Sequence, residues 1–230
     1  MKETRMFKLW LDGRVKTFNP IHGCKFECYS GKCWASQMAK RLQAAGAKGY
    51  TTGFEPTFSP ELLNRTFNEC EIVFVGSMGD ISFFPLNVHK RIIEKVVMKN
   101  PKTLFFFETK NPSIYAQWIP FLPENVILST TIETNRDYHL SKAPKPELRY
   151  ETFKRVLWPK KHVSIEPIMD FDLEVLVDWI RKIAPLMVSV GYDNHYCNLP
   201  EPSLDKTMKL IAELEKFTRV EKKTLREKHQ

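Results

Sequence analysis

The stretch Asn19-Pro-Ile-His-Gly-Cys-Lys-Phe-Glu-Cys-Tyr-Ser-Gly-Lys-Cys-Trp-Ala-Ser-Gln-Met-Ala-Lys-Arg-Leu42 decides the reading of this chain. Cys24, Cys28 and Cys33 follow C-x3-C-x4-C between a strand-like run, Val15 to Asn19, and a helical one, Trp34 to Ala45. Gly23 and Gly31 let the backbone wrap closely around a bound object. Three thiolates can ligate three irons of a cubane and leave the fourth open to a cofactor. Zinc is the rival, with His22 completing a Cys3His set, although structural zinc sites more often use closely spaced cysteine pairs. Cys70 and Cys197 read as isolated thiols, and an odd total of five cysteines argues against a disulfide framework.

Outward from this loop, short apolar runs alternate with amphipathic ones. The runs Glu71 to Val75, Thr103 to Glu108, Asn125 to Thr130, His162 to Glu166 and Leu186 to Gly191 are continuously apolar, as strands covered on both faces are. Between and after them lie helical patterns at Pro85 to Met98, Pro112 to Phe121, Pro146 to Leu157, Asp172 to Ile183 and Ser203 to Phe217. With Val15 to Asn19 and Trp34 to Ala45 these make six βα repeats, interrupted by Tyr50 to Asn68, read as a loop with a short helix from Ser59. Parallel βα repeats close into an open sheet or a curved barrel, and in both cases ligands meet the carboxyl ends of the strands. Those ends are polar here: Gly76 to Asp80, Glu108 to Asn111, Thr130 to Asn135, Ser164 to Pro167 and Gly191 to His195. Such clustering reads as a site, and its bland counterpart is a set of ordinary loops. The five tryptophans default to core packing.

The 230 residues are 43% apolar and 12% aromatic, enough for a full core, and are read as one domain over 1–218 with a cysteine loop at 19–35. Residues 219–230 read as a charged C-terminal tail, a solvated helix end or a frayed terminus. Thirty-five basic against 27 acidic residues give a net charge of +8, which favours polyanionic partners without proving one. Charged residues break Met1 to Leu11, and no later run approaches the ~20 apolar residues of a membrane span, so a soluble, cytoplasmic protein without a membrane partner is expected.

The cysteine loop and the strand ends together resemble a known family. Asn19-Pro20, Gly23-Cys24, Tyr29, Cys33-Trp34-Ala35, Met38 to Leu42, Val73 to Asp80, Glu108 to Pro112, Leu122 to Val126 and Val163 to Pro167 are similar to the radical S-adenosylmethionine (radical SAM) superfamily. Within it they resemble an uncharacterised phage- and archaeal-type branch distantly similar to spore photoproduct lyase. The resemblance spans about Lys16 to Asp193. It departs from the usual C-x3-C-x2-C: two additional residues precede Cys33, and Lys32 stands where an aromatic residue is usual.

The resemblance implies an α/β fold, the incomplete (β/α)6 TIM-like barrel of the radical SAM type. It implies a 4Fe-4S cluster on Cys24, Cys28 and Cys33, and reductive cleavage of S-adenosylmethionine to a 5′-deoxyadenosyl radical that abstracts hydrogen from a substrate. By position, Gly76, Ser77 and Met78 meet the methionine amino group, Lys110 or Thr109 its carboxylate, and Thr131 and Glu133 the ribose or sulfonium, with Ser164 and Glu166 beside them. The residues Asp193 to Tyr196 and Asn198 then face the incoming substrate. An electron donor such as ferredoxin or flavodoxin is implied; the basic charge and the distant similarity make nucleic acid the leading substrate class, though a peptide or an anionic small molecule would serve equally well. The competing readings are a zinc-stabilised basic nucleic-acid-binding protein without catalysis and an electron-transfer iron-sulfur protein.

Overall fold

A computed structural model of the chain describes residues 15–69 and 71–226, so Met1 to Leu11, Cys70 and the last residues of the charged tail lie outside the described part. Seven parallel strands appear in the order β1-β4-β5-β6-β7-β8-β9: β1 Val15–Phe18, β4 Ile72–Val75, β5 Leu104–Thr109, β6 Val126–Thr131, β7 Lys161–Ile165, β8 Met187–Val190 and β9 Arg219–Lys222. A separate antiparallel pair joins β2 (Ile21–His22) to β3 (Thr57–Phe58). The helices are α1 Trp34–Ala44, α2 Leu86–Ile92, α3 Pro146–Lys154, α4 Leu173–Ile183 and α5 Leu204–Leu214. The chain divides into two compact units.

The first unit runs through Phe26, then Cys33–Thr109 and Gln117–Leu128. Its strands β1, β4 and β5 pair in parallel, Val15 beside Ile72 and Ile72 beside Leu104. Helix α2 continues into a wider π turn, Ile93–Val97, and the two bury Val88, Ile92, Ile93, Val96 and Val97. Phe18, Phe67 and Phe105 meet edge to face at 5.2 and 5.6 Å. Such geometry lets the positive ring edge meet the negative face of its neighbour. Trp118 is fully buried, with its Nε1 donating to His89 Nδ1 at 3.0 Å. His89 Nε2 therefore donates to the Ile81 carbonyl at 2.9 Å, and burial holds the ring neutral by lowering its pKa.

The second unit comprises Glu27–Lys32, Lys110–Ala116 and Ser129 onward. Strands β7, β8 and β9 pair in parallel, with Ser164 beside Ser189 and Ser189 beside Glu221. Every residue of β7 and β8 is buried. Helix α4 buries Leu176, Val177, Ile180 and Ile183 at helical spacing, and Trp179 stacks flat on Tyr150 of α3 at 4.6 Å. Ser203 caps α5 by accepting the Lys206 amide at 3.2 Å, which satisfies one of the orphan first-turn donors.

Three segments differ from the sequence reading. Pro112 to Phe121 forms two 3₁₀ pieces, Pro112–Gln117 and Ile119–Phe121, because Pro120 has no amide to continue an α-helix. The insertion Tyr50 to Asn68 contributes β3 before its short helix, which is the 3₁₀ turn Pro60–Asn64. Arg219–Lys222, read as the start of a solvated tail, is strand β9, with Glu221 buried.

Candidate functional site

Two close backbone approaches build the turn after β4. Gly76 adopts φ +74° and donates its amide to the Phe18 carbonyl at 2.8 Å. Asn19 Oδ1 then accepts both the Ser77 hydroxyl at 3.1 Å and the Met78 amide at 3.3 Å. The Gly23 amide donates to the Met78 carbonyl at 3.0 Å, and Asp80 N returns to the Gly23 carbonyl at 3.2 Å. Gly23 and Gly79 thus lie backbone to backbone, where a Cβ on Gly79 would stand 2.6 Å from Gly23 O. Asp80 closes the turn by accepting Thr109 Oγ1 at 2.6 Å and Ser82 Oγ at 2.7 Å.

Of the three residues expected on the cofactor here, the Met78 side chain is committed to the core with Ala35 and Ala39. What it offers a ligand is backbone. Cys33 packs against the same cluster, and the Cys24 amide is held by the Phe54 carbonyl at 3.1 Å. His22, just upstream, is buried against Tyr50 at 4.5 Å, and its Nε2 has no hydrogen-bond partner.

The middle of the cysteine loop, Glu27 to Lys32, belongs to the second unit and is clasped there. Ser30 N donates to Leu140 O at 3.2 Å, Cys28 Sγ lies 3.4 Å from Ser141 Oγ, and Lys32 Nζ reaches Cys197 O at 3.4 Å. These contacts hold an unusual backbone, since Glu27, Tyr29, Ser30 and Gly31 all have φ between +49° and +81°. Left-handed residues with a Cβ are costly and persist only where their surroundings over-determine them. Cys197 is a reduced thiol whose Sγ lies 3.5 Å from Lys32 O.

At the centre of the same unit lies a buried charge cluster. Glu133 Oε1 accepts Tyr29 Oη at 3.1 Å and is ion-paired with Lys110, while Oε2 accepts Arg149 NH1 at 2.7 Å. Lys110 also donates to Tyr29 Oη at 2.8 Å, and Arg149 NH1 to Thr131 O at 2.7 Å. Burial favours a neutral carboxyl, but the Arg149 and Lys110 charges outweigh it and hold Glu133 well below the usual carboxylate range. Burial likewise opposes the Lys110 charge, and the Cys28 sulfur and Glu133 carboxylate overcome it and raise its pKa. The Tyr29 hydroxyl, desolvated beside them, is pushed well up and stays protonated. Tyr29 and Lys110 share Oε1, which leaves Oε2 the less crowded oxygen for a ligand hydroxyl. A cavity of about 30 Å³ opens beside the cluster, lined by Tyr29, Glu133, Ser141, Arg149 and Met169 among others. Arg149 Nε has no hydrogen-bond partner, and the space admits a water or two.

A second polar chain crosses β6 to β9. Ser129 Oγ meets His162 Nδ1 at 2.8 Å, His162 Nε2 meets Ser189 Oγ at 2.9 Å, and Ser189 donates to Glu221 Oε2 at 2.7 Å. Glu221 is in turn ion-paired with Lys223 at 2.8 Å. Since Ser189 spends its proton on Glu221, it accepts from His162 Nε2, and Nδ1 accepts from Ser129. Burial, and then the Lys223 charge, depress the His162 pKa to about 3. Glu166 stands at the end of β7, where a Cβ on Gly191 would come within 3.3 Å of its Oε1, and burial raises its pKa. Ser164 is buried, with its carbonyl accepting Ile132 N at 2.8 Å.

The expected site residues thus fall into two groups: Gly76, Ser77 and Met78 on the first unit's turn, and Lys110, Thr131, Glu133, Ser164 and Glu166 in the second. Tyr29 and Arg149 belong to the second group and were not expected in it. Arg149 reads in sequence as one cation on an amphipathic helix, and nothing local marks it as buried.

Comparison with solved structures defines the class of fold. The chain is similar to a cysteine-to-alanine mutant of spore photoproduct lyase with dinucleoside spore photoproduct (TM-score 0.54, 13% identity, 87% of this chain and 60% of that one). It is also similar to a radical SAM methyltransferase from Sphaerobacter thermophilus (TM-score 0.55, 14% identity, 91% and 66%). The chain therefore has a partial TIM-barrel α/β fold, and it spans about three fifths to two thirds of the length of these solved chains. It belongs to the family described as protein of unknown function DUF5131, whose model matches residues 10–183. No curated protein matches it. Among the described residues no helix is long and apolar enough to cross a membrane.

Proposed function

We propose that the chain is a radical SAM enzyme in which Cys24, Cys28 and Cys33 hold a 4Fe-4S cluster and the strand-end residues receive S-adenosylmethionine. One observation carries the reading: a three-thiol loop, entered through the short β2, lies between parallel strand β1 and helix α1 in a fold similar to those of spore photoproduct lyase and a radical SAM methyltransferase. The donor chemistry suits the group, since thiolates are the ligands of iron-sulfur clusters. The placement does not, because among the described residues no three His, Cys, Asp or Glu side chains are gathered to hold a metal ion. The bound cluster would supply the electron that cleaves the sulfonium, drawn from a donor such as ferredoxin or flavodoxin.

The chain's own residues then have separable tasks. Gly76 and the carbonyl of Met78 offer close backbone approach to an ammonium, with Ser77 adding a hydroxyl that Asn19 already orients. Lys110 and Glu133, locked together with Tyr29 and Arg149, present a fixed charge pattern with Thr131 beside it. Ser164 and Glu166 extend this polar line along the strand ends. The substrate is read as nucleic acid, supported by the net charge of +8 and by the likeness to a lyase whose structure holds a dinucleoside photoproduct.

Anaerobic reconstitution followed by iron and sulfide analysis tests the cluster, with about four irons per chain expected. Incubation with a reductant and S-adenosylmethionine should then release 5′-deoxyadenosine, and the Cys28→Ala variant should release none. Reconstituted protein that takes up iron without releasing 5′-deoxyadenosine would be an electron carrier. Zinc, with His22 and its unpartnered Nε2 as a fourth donor beside the three cysteines, is the second reading, and it meets the same lack of three gathered donors among the described residues. Colourless protein with one zinc and no iron uptake would establish it.

A further inference from the structure

Two loops of the second unit are built alike. Asp137 Oδ1 accepts the His139 amide at 3.0 Å, and Asp193 Oδ1 accepts the His195 amide at 2.8 Å while Oδ2 takes that of Cys197. Each tight turn forces an aromatic residue into the left-handed region, His139 at φ +54° and Tyr196 at φ +56°. Glycine or asparagine adopts that conformation with less strain. Yet Tyr196 is 89% exposed, and the His139 side chain is 79% exposed with Asp137 as its ionic neighbour. Rings held out on strained, anchored turns are placed for something outside the fold, since they fill no core.

Both loops also grip the cysteine segment. Leu140 and Ser141, next to His139, hold Ser30 and Cys28, and Cys197, next to Tyr196, holds Lys32. The two exposed rings are thus carried by residues adjacent to the anchors of Glu27 to Lys32. Lys32, Lys142 and Lys145 are exposed on the same segments, Lys142 paired with Glu27 and Lys145 with Asp137, so the positive charge that draws a polyanion is that of the whole chain, +8.

We propose that Tyr196, seconded by His139, is a stacking platform for the unpaired bases of single-stranded nucleic acid. This rests on the nucleic-acid reading above and adds how the polymer is held. Long-range attraction to phosphates supplies encounter and salt sensitivity, and a ring supplies what phosphates cannot, a preference for strands that bear bases. A peptide partner would lack the phosphate row that complements the positive charge.

The test compares a labelled single-stranded oligodeoxynucleotide with an abasic strand of equal length by fluorescence anisotropy. The protein should bind the base-bearing strand more tightly by about fivefold or more, the scale of one base stacked on an aromatic ring. Tyr196→Ala should remove that preference while leaving abasic binding unchanged, Tyr196→Phe should restore it, and His139→Ala should lower it less. Thermal melting of Tyr196→Ala should match the parent, because the ring is exposed. Equal binding of the two strands by the parent, or full base preference in Tyr196→Ala, would overturn the platform. Neither measurement depends on iron or 5′-deoxyadenosine. Strand binding without cofactor cleavage would sink the radical reading alone, and cleavage without base preference would sink the platform alone.

Discussion

The turn after β4 and the charge cluster around Glu133 both serve the carboxyl ends of parallel strands, yet they are held by opposite means. In the first, Gly23 and Gly79 bring two backbones into contact, and amide-to-carbonyl bonds with one asparagine fix the rest. In the second, one carboxylate is gripped by a lysine, an arginine and a tyrosine, nearly all of it out of water. A backbone clamp depends on space and is indifferent to pH and salt. A buried charge cluster depends on every partner being present, because removing one leaves another charge buried and uncompensated. Each is therefore fragile in a different place.

Arg149→Met strikes the charge cluster hardest. It leaves Glu133 with Lys110 and Tyr29 but strips Oε2 and the Thr131 carbonyl of their donor. Losing one partner of a buried pair costs about 3–5 kcal/mol, and urea denaturation at neutral pH should show a loss on that scale. A change under about 1 kcal/mol would mean that water enters the adjoining cavity and replaces the guanidinium at little cost. The matching change in the first unit is Gly79→Ala. Its Cβ would meet Gly23 N and O at 2.7 and 2.6 Å, and both are backbone atoms that a rotamer change cannot move. A loss of about 1–3 kcal/mol is expected, equal at pH 5 and pH 8.

Each region was legible in part: Gly23, Gly76, Lys110 and Glu133 stood out in the sequence, whereas the contact between Gly23 and Gly79 and the burial of Arg149 did not, for a physical reason. Gly76 to Asp80 after an apolar run announces a polar strand end, and Cys24, Cys28 and Cys33 announce themselves by crowding. The strand-helix alternation was equally plain, because β6 and β8 are apolar or small throughout, as buried parallel strands must be. Arg149 carries no such mark. Its burial follows from Glu133, sixteen residues earlier, which no local periodicity couples to it. Strand β9 escapes notice for the same reason: Arg219-Val220-Glu221-Lys222 reads as solvated, and only Ser189, on the paired strand, explains why Glu221 is inside. Pro120, by contrast, is a local signal that argues against one helix over Pro112 to Phe121.

A pH titration separates side-chain support from backbone support further. His162 is neutral in the fold with a pKa of about 3, whereas an unfolded histidine titrates near ~6.5. Below that value the unfolded chain takes up a proton that the folded chain refuses, so stability falls as pH drops and levels off below about 3. Well inside that window the slope is about 1.4 kcal/mol per pH unit. His162→Gln keeps a polar group between Ser129 and Ser189 and should flatten the slope between pH 6 and pH 4, read from urea midpoints at each pH. A variant whose stability still falls as steeply as the parent's would assign the acid sensitivity to other groups.

The smallest expected effect tests whether side chains matter to the backbone clamp at all. Asn19 Oδ1 accepts from Ser77 and from the Met78 amide, but the turn is also closed by Gly23 N on Met78 O and by Gly76 N on Phe18 O. Asn19→Ala should therefore cost about 0.5–1.5 kcal/mol, the net worth of an ordinary hydrogen bond, and should not change with pH. Amide hydrogen exchange at Met78 should quicken while that at Gly23 and Gly76 stays slow, since their partners are backbone carbonyls. If Gly23 and Gly76 lose protection together with Met78, the asparagine is the keystone of the turn. In that case the clamp, like the charge cluster, hangs on a single side chain.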